Sequence, residues 1–212
     1  EVVSNGAVNS TAPTLVSASL LAFDPTANHL DAALYWYAYG LPIVPTMPDT
    51  NQIAVSSDTW LVELSHEKIV QHWSQHADHG VALIPGDDYV VFCTDSQESR
   101  DALAAIFKNV EAWPNMVVKT AIDTHTRFKV AKGANTNQLT HNIEKHFAHI
   151  GVIAGKSPVI LPPSKGSTLS LDMAKNVGEL TEATQAFIDA VSLHNGTADT
   201  DCVAAPDAGK PP

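Results

Sequence analysis

The chain has little cysteine, little positive charge and no long apolar run. It has 2 cysteines among 212 residues: Cys93 in a strand-like segment and Cys202 in a polar end. We therefore expect no disulfide framework and a reduced, cytoplasmic protein. The 12 Lys and Arg residues are outnumbered by 23 Asp and Glu, giving a formal net charge of -11. This charge argues against strong, non-specific binding to nucleic-acid phosphates. No apolar run is long enough to cross a membrane.

The chain also lacks an initiator Met and internal repeats, and we expect it to be an excised fragment or a processed form. Its apolar fraction of 44% is typical of a folded domain. Weak periodicity at the start and a polar, Pro-containing end divide the sequence. They predict an N-terminal arm at 1–27, a folded domain at 28–195 and a linker or tail at 196–212.

Apolar periodicity and turn residues predict an α+β fold, with mostly antiparallel or mixed sheets flanked by helices. The predicted helices are Leu30–Ala38 with a Gly40 cap, Ser65–Trp73, Ser96–Val110, Asn142–Ala148 and Thr181–His194. The predicted strands are Leu41–Pro45, Gly80–Gly86, Tyr89–Thr94, Met116–Thr120, Thr126–Val130, Ile150–Ile153 and Pro158–Leu161.

Two pairs of these strands have the short spacing of antiparallel hairpins. Asp87-Asp88 is the predicted turn of the first pair, and Gly155-Lys156 is the predicted turn of the second. The segment Pro45–Ser57 is rich in turn residues and is predicted to be a loop.

The stretch Tyr89–Asp95 carries the clearest sign of chemistry. A buried strand that ends in a carboxylate often presents two acids, one residue apart, to a divalent metal. Here Cys93 stands where the second acid is expected, and a thiol is a poor ligand for Mg²⁺. Two plainer interpretations stay open. Asp95 could be the N-cap of the helix that begins near Ser96, and Cys93 could be a small buried apolar residue.

Histidine and basic residues give weaker signals. His72, His76 and His79 fall at helical spacing, which favours an exposed polar helix face over a metal site. One further alternative is a transition-metal site with Cys93, Asp95 and His125 as ligands. Another is a catalytic Cys93–His125 pair. Apolar surroundings oppose the catalytic pair because they raise the pKa of a thiol. Four cations lie close enough in sequence to form a locally basic groove: Lys119, Arg127, Lys129 and Lys132.

Four segments in chain order resemble the motifs of one family. They are the turn Gly40–Pro45, the strand end Cys93–Asp95, the segment Asp123–Phe128 with its His and Phe, and Val159–Ser164 with its Pro-Pro-Ser. Together they resemble the primase-polymerase domain at the N-terminus of replication proteins of plasmids, phages and integrated elements. The resemblance covers roughly 28–195 and implies a fold similar to archaeal-eukaryotic primases.

The resemblance also implies a site. In the family, acids hold Mg²⁺ or Mn²⁺, and a His corresponding to His125 contacts the nucleoside triphosphate. Of the three acids, Asp95 remains as catalytic residue and metal ligand, while Cys93 and Gly151 stand at the other two positions. The side chains we expect near phosphate are Lys119, Arg127, Ser164 and Lys165.

We therefore expect a domain of a replication initiation protein from a mobile element with lost or impaired polymerising activity. It would engage single- or double-stranded DNA, nucleotide, or a replicative helicase, whose own portion we expect beyond residue 212. One alternative is an active nucleotidyltransferase, with Mg²⁺ or Mn²⁺ held by Asp87, Asp88 or Asp123 as substitute acids. Another is a protein-interaction module without a nucleic-acid role, which the acidic net charge favours.

Overall fold

The computed structural model describes residues 23–111, 114, 116–121, 123–136, 139, 149–169 and 181–201. The predicted helix Asn142–Ala148, Cys202 and most of the predicted arm and tail lie outside the described residues.

The described residues form five helices and nine strands, with several strands following one another without an intervening helix, as in α+β folds. The helices are α1 His29–Ala38, α2 Ser57–Val62, α3 His66–Gln75, α4 Gln97–Val110 and α5 Gln185–Asp201. The strands are β1 Ile43–Thr46, β2 Gly80–Leu83, β3 Gly86–Thr94, β4 Met116–Lys119, β5 Thr124–Val130, β6 Gly151–Gly155, β7 Val159–Leu161, β8 Thr168–Leu169 and β9 Glu182–Ala183. A short 3₁₀ turn, Ser164–Gly166, follows β7.

These strands build two sheets. The smaller sheet has the antiparallel order β1-β2-β7, and the larger has the order β6-β3-β5-β4-β8, with β9 parallel to β5. The predicted α+β class with mostly antiparallel sheets is thus confirmed. Helix α2 was missed, because the loop prediction covered the residues just before it and its six residues carry little periodicity.

Both predicted hairpins are wrong. β2 pairs with β1 and β7, whereas β3 pairs with β5 and β6. β6 and β7 likewise lie in different sheets. Asp87 and Asp88 form no turn but lie within β3. The physical reason is that each of these links carries the chain from one sheet to the other. The strand after the link then pairs with strands that are distant in sequence rather than with the strand before the link.

The larger sheet lies between two apolar cores. On one face, Val90 and Phe92 of β3 pack with α4 and α5. On the other face, Val91 packs with the smaller sheet and with Trp36 of α1. This alternation follows from the two-residue period of a strand. Cys93 lies on the second face, so its side chain points toward the space between the two sheets.

Local caps explain where the helices begin and end. Asn28 accepts a hydrogen bond from the Asp31 amide at the start of α1, and Gly40 follows the helix with φ +90, as the sequence predicts. The buried residues of α1 are Ala32, Ala33 and Trp36. Within the described residues, no helix is both long and apolar enough to cross a membrane.

Candidate functional site

The register of the larger sheet places three of the predicted site residues in one row. Cys93 of β3 lies opposite His125 of β5 on one side and opposite Gly151 of β6 on the other. A Cβ atom built at Gly151 would lie 3.2 Å from the Cβ of Cys93, whereas directly opposed residues usually have Cβ atoms about 4.5–5.5 Å apart. The structure thus makes the three positions neighbours, with no side chain at the third.

Asp95 follows the last residue of β3 and is exposed. It does not cap the next helix, because the hydroxyl of Ser96 accepts from the Ser99 amide and forms a capping box. The plainer interpretation of Asp95 as an N-cap is therefore wrong. Asp95 lies two positions after Cys93, and its charge acts on the Cys93 thiol.

The thiol of Cys93 is held in its neutral form. Burial raises its pKa to about 12, and the negative charges of Asp123 and Asp95 add to the effect against an opposing contribution from Arg127. A protonated thiol is a weak nucleophile. The surroundings therefore disfavour a catalytic Cys93–His125 pair.

Asp123 and His125 form the polar centre of the site. His125 Nε2 donates to Asp123 Oδ2 at 2.9 Å, and the hydroxyl of Thr120 also donates to the Asp123 carboxylate. Burial alone would raise the pKa of Asp123, but these hydrogen bonds and the charge of Arg127 outweigh it and hold the pKa below its ordinary value. His125 is 8% exposed, and its buried Nδ1 has no hydrogen-bond partner in the described part of the chain.

Arg127 lies one row away on the same face of β5, opposite Val91 and Met116. It is fully buried, and its Nη2 donates to the carbonyl of Ile160 at 2.7 Å, which joins the larger sheet to β7. Its Nε and Nη1 have no partner among the described residues. Burial lowers the pKa of Arg127 to about 10, so the guanidinium remains charged at neutral pH behind the site.

A pocket of about 280 Å³, here named the inter-sheet cleft, opens beside His125. Its walls come from both sheets and from the turns next to them: Asn51, Thr120, Ala121, Asp123, His125, Ile153, Pro158, Val159, Ile160, Lys165 and Ser167. The Nζ of Lys165 donates to the Asn51 side chain at 3.1 Å across its mouth. A second pocket of about 210 Å³ shares part of this wall and adds the exposed cations Lys119 and Arg100.

Ser164 has a structural role, because it connects two segments of the smaller sheet through a hydrogen bond. Its buried hydroxyl accepts the Val81 amide at 2.6 Å and so fixes β2 to the turn after β7. Two positions earlier, the carbonyl of Pro162 accepts the Trp36 indole N–H at 2.8 Å. The Pro-Pro-Ser segment therefore ties α1 and the smaller sheet together, next to Lys165, which lines the cleft.

The predicted site residues thus fall into two groups. Those that meet in or beside the cleft are Cys93, His125, Gly151 and Lys165, with Lys119 at the neighbouring pocket. Arg127 lies behind the cleft, Ser164 is bonded to β2, and Asp95 lies at the strand end. The roles assigned to all of these residues stay predictions.

Sequence reasoning gave too little weight to Asp123. It was one of three candidate substitute acids, and the others, Asp87 and Asp88, lie exposed near the opposite end of β3. At about 3.4 Å per residue, Asp87 is roughly 20 Å from Cys93. The sequence signal for Asp123 was its spacing, two positions before His125. In the structure the Asp123 amide donates to the Thr120 hydroxyl, and the Asp123 carboxylate contacts the His125 ring.

The donor set does not fit a pair of Mg²⁺ or Mn²⁺ ions. Within the described part of the chain, one group of His, Cys, Asp or Glu side chains could hold an ion: Cys93, Asp123 and His125, whose ligand atoms lie within 4.8 Å of one another. Two-metal phosphoryl transfer needs several hard oxygen ligands shared between ions. One carboxylate, one imidazole and one thiol do not provide them.

Comparison with known families gives one match. The family model described as "Bifunctional DNA primase/polymerase, N-terminal" matches residues 32–185, a segment that runs from α1 to the start of α5. No curated protein matches the chain.

Proposed function

We propose a function from the family to which this chain belongs, the N-terminal domains of bifunctional DNA primase/polymerases. The chain would serve DNA replication by binding a nucleotide or a DNA end in the inter-sheet cleft, with its polymerising activity lost or strongly impaired. A replicative helicase, joined to the domain or docked on it, is the partner that such a role requires. A mobile genetic element is the origin that its motifs favour.

The donor set supports impaired chemistry. Cys93 and Gly151 occupy the positions where the resemblance places two acids, and the structure makes these positions neighbours. A neutral thiol and a glycine supply no hard oxygen ligand. With Asp95 and Asp123 as the nearby carboxylates, the site has too few shared oxygens to clamp attacking and leaving oxygens between two ions.

The cations around the cleft support retained binding. Lys165 lines the inter-sheet cleft, while Lys119 and Arg100 line the pocket beside it. Arg127 adds a buried positive charge behind His125. In a chain with a net charge of -11, such a local concentration favours a small anionic ligand, such as a triphosphate, over extended contact with a DNA backbone.

One experiment tests both halves of the proposal. The protein is incubated with Mn²⁺ or Mg²⁺, a primed template and labelled deoxynucleotides, and the binding of a fluorescent nucleoside triphosphate is titrated in parallel. We expect no primer extension above the Asp95→Ala variant. We also expect saturable nucleotide binding that weakens with salt and is reduced by His125→Ala and Lys165→Ala.

Lys108→Ala is the matched control, because Lys108 is an exposed cation on α4, the helix that covers the opposite face of the larger sheet. Extension that Asp95→Ala abolishes contradicts the impaired chemistry. Nucleotide binding equal in all three variants contradicts the role of the cleft. Failure to bind either nucleotide or DNA at low salt would favour the protein-interaction module instead.

Asp123 favours a second candidate, an active nucleotidyltransferase with a substitute acid. Its carboxylate lies against His125 and has a lowered pKa, so it is ionised and available to a metal at neutral pH. Under this candidate, the same assay shows extension that both Asp95→Ala and Asp123→Asn abolish.

A further inference from the structure

We propose that Cys93, Asp123 and His125 form a binding site for a single borderline transition-metal ion of the Zn²⁺ type. The site uses a thiol and an imidazole, two ligands that a magnesium centre does not need. It does not depend on nucleotide binding, so the two proposals can fail separately.

Three separate parts of the fold bring the ligands together. Cys93 comes from β3, His125 lies directly opposite on β5, and Asp123 comes from the turn that leads into β5. Their ligand atoms lie within 4.8 Å of one another. Around one zinc ion, with bonds of about 2.0–2.3 Å, ligand atoms lie about 3.5 Å apart. Side-chain rotations that bring these atoms closer by about 1 Å therefore suffice.

The two ring nitrogens of His125 have different surroundings. His125 is 92% buried, and Nδ1 has no hydrogen-bond partner within the described residues. Nε2 lies 2.9 Å from Asp123 Oδ2, so Nε2 is the nitrogen that can share an ion with Asp123. The ion would take the place of the proton between these two atoms.

The chemical types of the three ligands determine which ion the site prefers. Thiolate and imidazole bind Zn²⁺ and similar ions well, whereas Mg²⁺ demands oxygen ligands. When the ion binds, the Cys93 proton leaves to solvent and a sulfur–metal bond forms. The charge of Arg127 opposes the incoming cation but favours the thiolate, whereas burial and the charge of Asp123 disfavour the thiolate until an ion is bound. With the ion, the thiolate, Asp123 and Arg127 charged, the site keeps one net positive charge.

Three protein ligands leave a fourth position of a tetrahedral ion open, as in zinc sites that bind a water or a substrate oxygen. Asp123 and His125 both line the inter-sheet cleft, so the open position faces it. A phosphate oxygen is the ligand that a net positive site would take there.

Cobalt provides the direct test. The metal-free protein is titrated with Co²⁺, and we expect sulfur-to-cobalt charge-transfer absorption that saturates at one equivalent. One equivalent of Zn²⁺ should remove this absorption, and excess Mg²⁺ should not. Cys93→Ser should abolish the band, and His125→Ala or Asp123→Ala should weaken Zn²⁺ binding by about tenfold or more.

Cys202→Ser is the matched control for the thiol and should keep the full band. A band that survives in Cys93→Ser, or the absence of any thiolate band in the wild-type protein, overturns the proposal. If Cys93→Ser fails to fold, the melting temperature of the wild-type protein with and without Zn²⁺ decides. A ligand that binds the folded state must raise that temperature. The proposal is also overturned if Zn²⁺ does not raise the melting temperature of the wild-type protein, or if it raises that of His125→Ala by the same amount.

Discussion

Ser164 shows at the scale of one residue how the cleft is supported. Its hydroxyl is the partner of the buried Val81 amide, and Gly80, one residue earlier, approaches it so closely that an added Cβ would lie 3.1 Å from the Ser164 Cβ. The hydroxyl therefore sits in a tight space where no other group can replace it.

Ser164→Ala should lower the free energy of unfolding by about 1–3 kcal/mol, because a buried N–H loses its partner. Urea denaturation measures the loss. Ser56→Ala is the control: Ser56 is exposed, its side chain makes no capping hydrogen bond, and its loss should change stability by less than about 0.5 kcal/mol. Equal effects in the two variants would contradict the structural role of Ser164.

At the residue scale the sequence predicted which side chains lie near one another better than it predicted the contacts that each one makes. His125 and Cys93 meet as expected because strand register can be guessed from aligned motifs. Arg127 was expected at a phosphate, but the two-residue period of β5 carries it inward, where it binds the Ile160 carbonyl. Such a bond spans 33 positions of the chain, and no local pattern reports it.

At the scale of elements, the end of α3 carries a cluster of three histidines. His72, His76 and His79 have ring centroids 4.7–5.1 Å apart, and His72 packs edge-on against Trp60. The expected exposed polar face applies to His76, which is exposed, while His72 is partly buried. Burial, followed by the nearby charges of His79 and His76, lowers the pKa of His72 to about 4.

This shift makes stability depend on pH. Because the folded state holds His72 neutral, the unfolded chain binds more protons between pH 6.5 and about 4. The stabilisation is present above that window and is lost as the pH falls through it. His72→Gln should flatten this part of the curve of unfolding free energy against pH, whereas His66→Gln, an exposed control at the start of α3, should not. An unchanged slope in His72→Gln would contradict the burial effect.

Elements were predictable where they depend on local chemistry. The starts of α3 and α4 follow from Ser65 and Ser96, whose side chains cap the amides expected for an N-cap. Strand pairing was not predictable in the same way. Asp87-Asp88 has the composition of a hairpin turn, yet β2 and β3 each have both edges occupied by other strands. Partner choice is set by long-range packing, which short spacing does not encode.

At the scale of the whole molecule, α5 closes one core. Phe187 and Ile188 pack onto the larger sheet, and the Asn195 side chain binds both the N–H and the C=O of Ile150, at 3.1 and 2.9 Å. The predicted tail began at this point of the chain, but the helix continues to Asp201. Asn195 thus anchors the last helix to the strand that carries Gly151.

Asn195→Ala should lower the free energy of unfolding by about 1–3 kcal/mol, because two buried backbone groups lose their partner. Far-ultraviolet circular dichroism in urea follows the transition. Leu193→Ala, on the same helix and with Leu193 71% exposed, is the control and should change it by less than about 0.5 kcal/mol. A stability loss no greater in Asn195→Ala than in this control would show that α5 is not anchored there.

The close approach of β3 and β6 bears on any attempt to turn this chain into a working polymerase. Two carboxylates would have to be introduced at positions 93 and 151, which lie opposite each other on the two strands. A Cβ at position 151 would lie 3.2 Å from the Cβ at position 93, which is tighter than an ordinary contact. The two strands would therefore have to separate by a few tenths of an ångström to admit the second acid, and a design on a fixed backbone leaves no room for that adjustment.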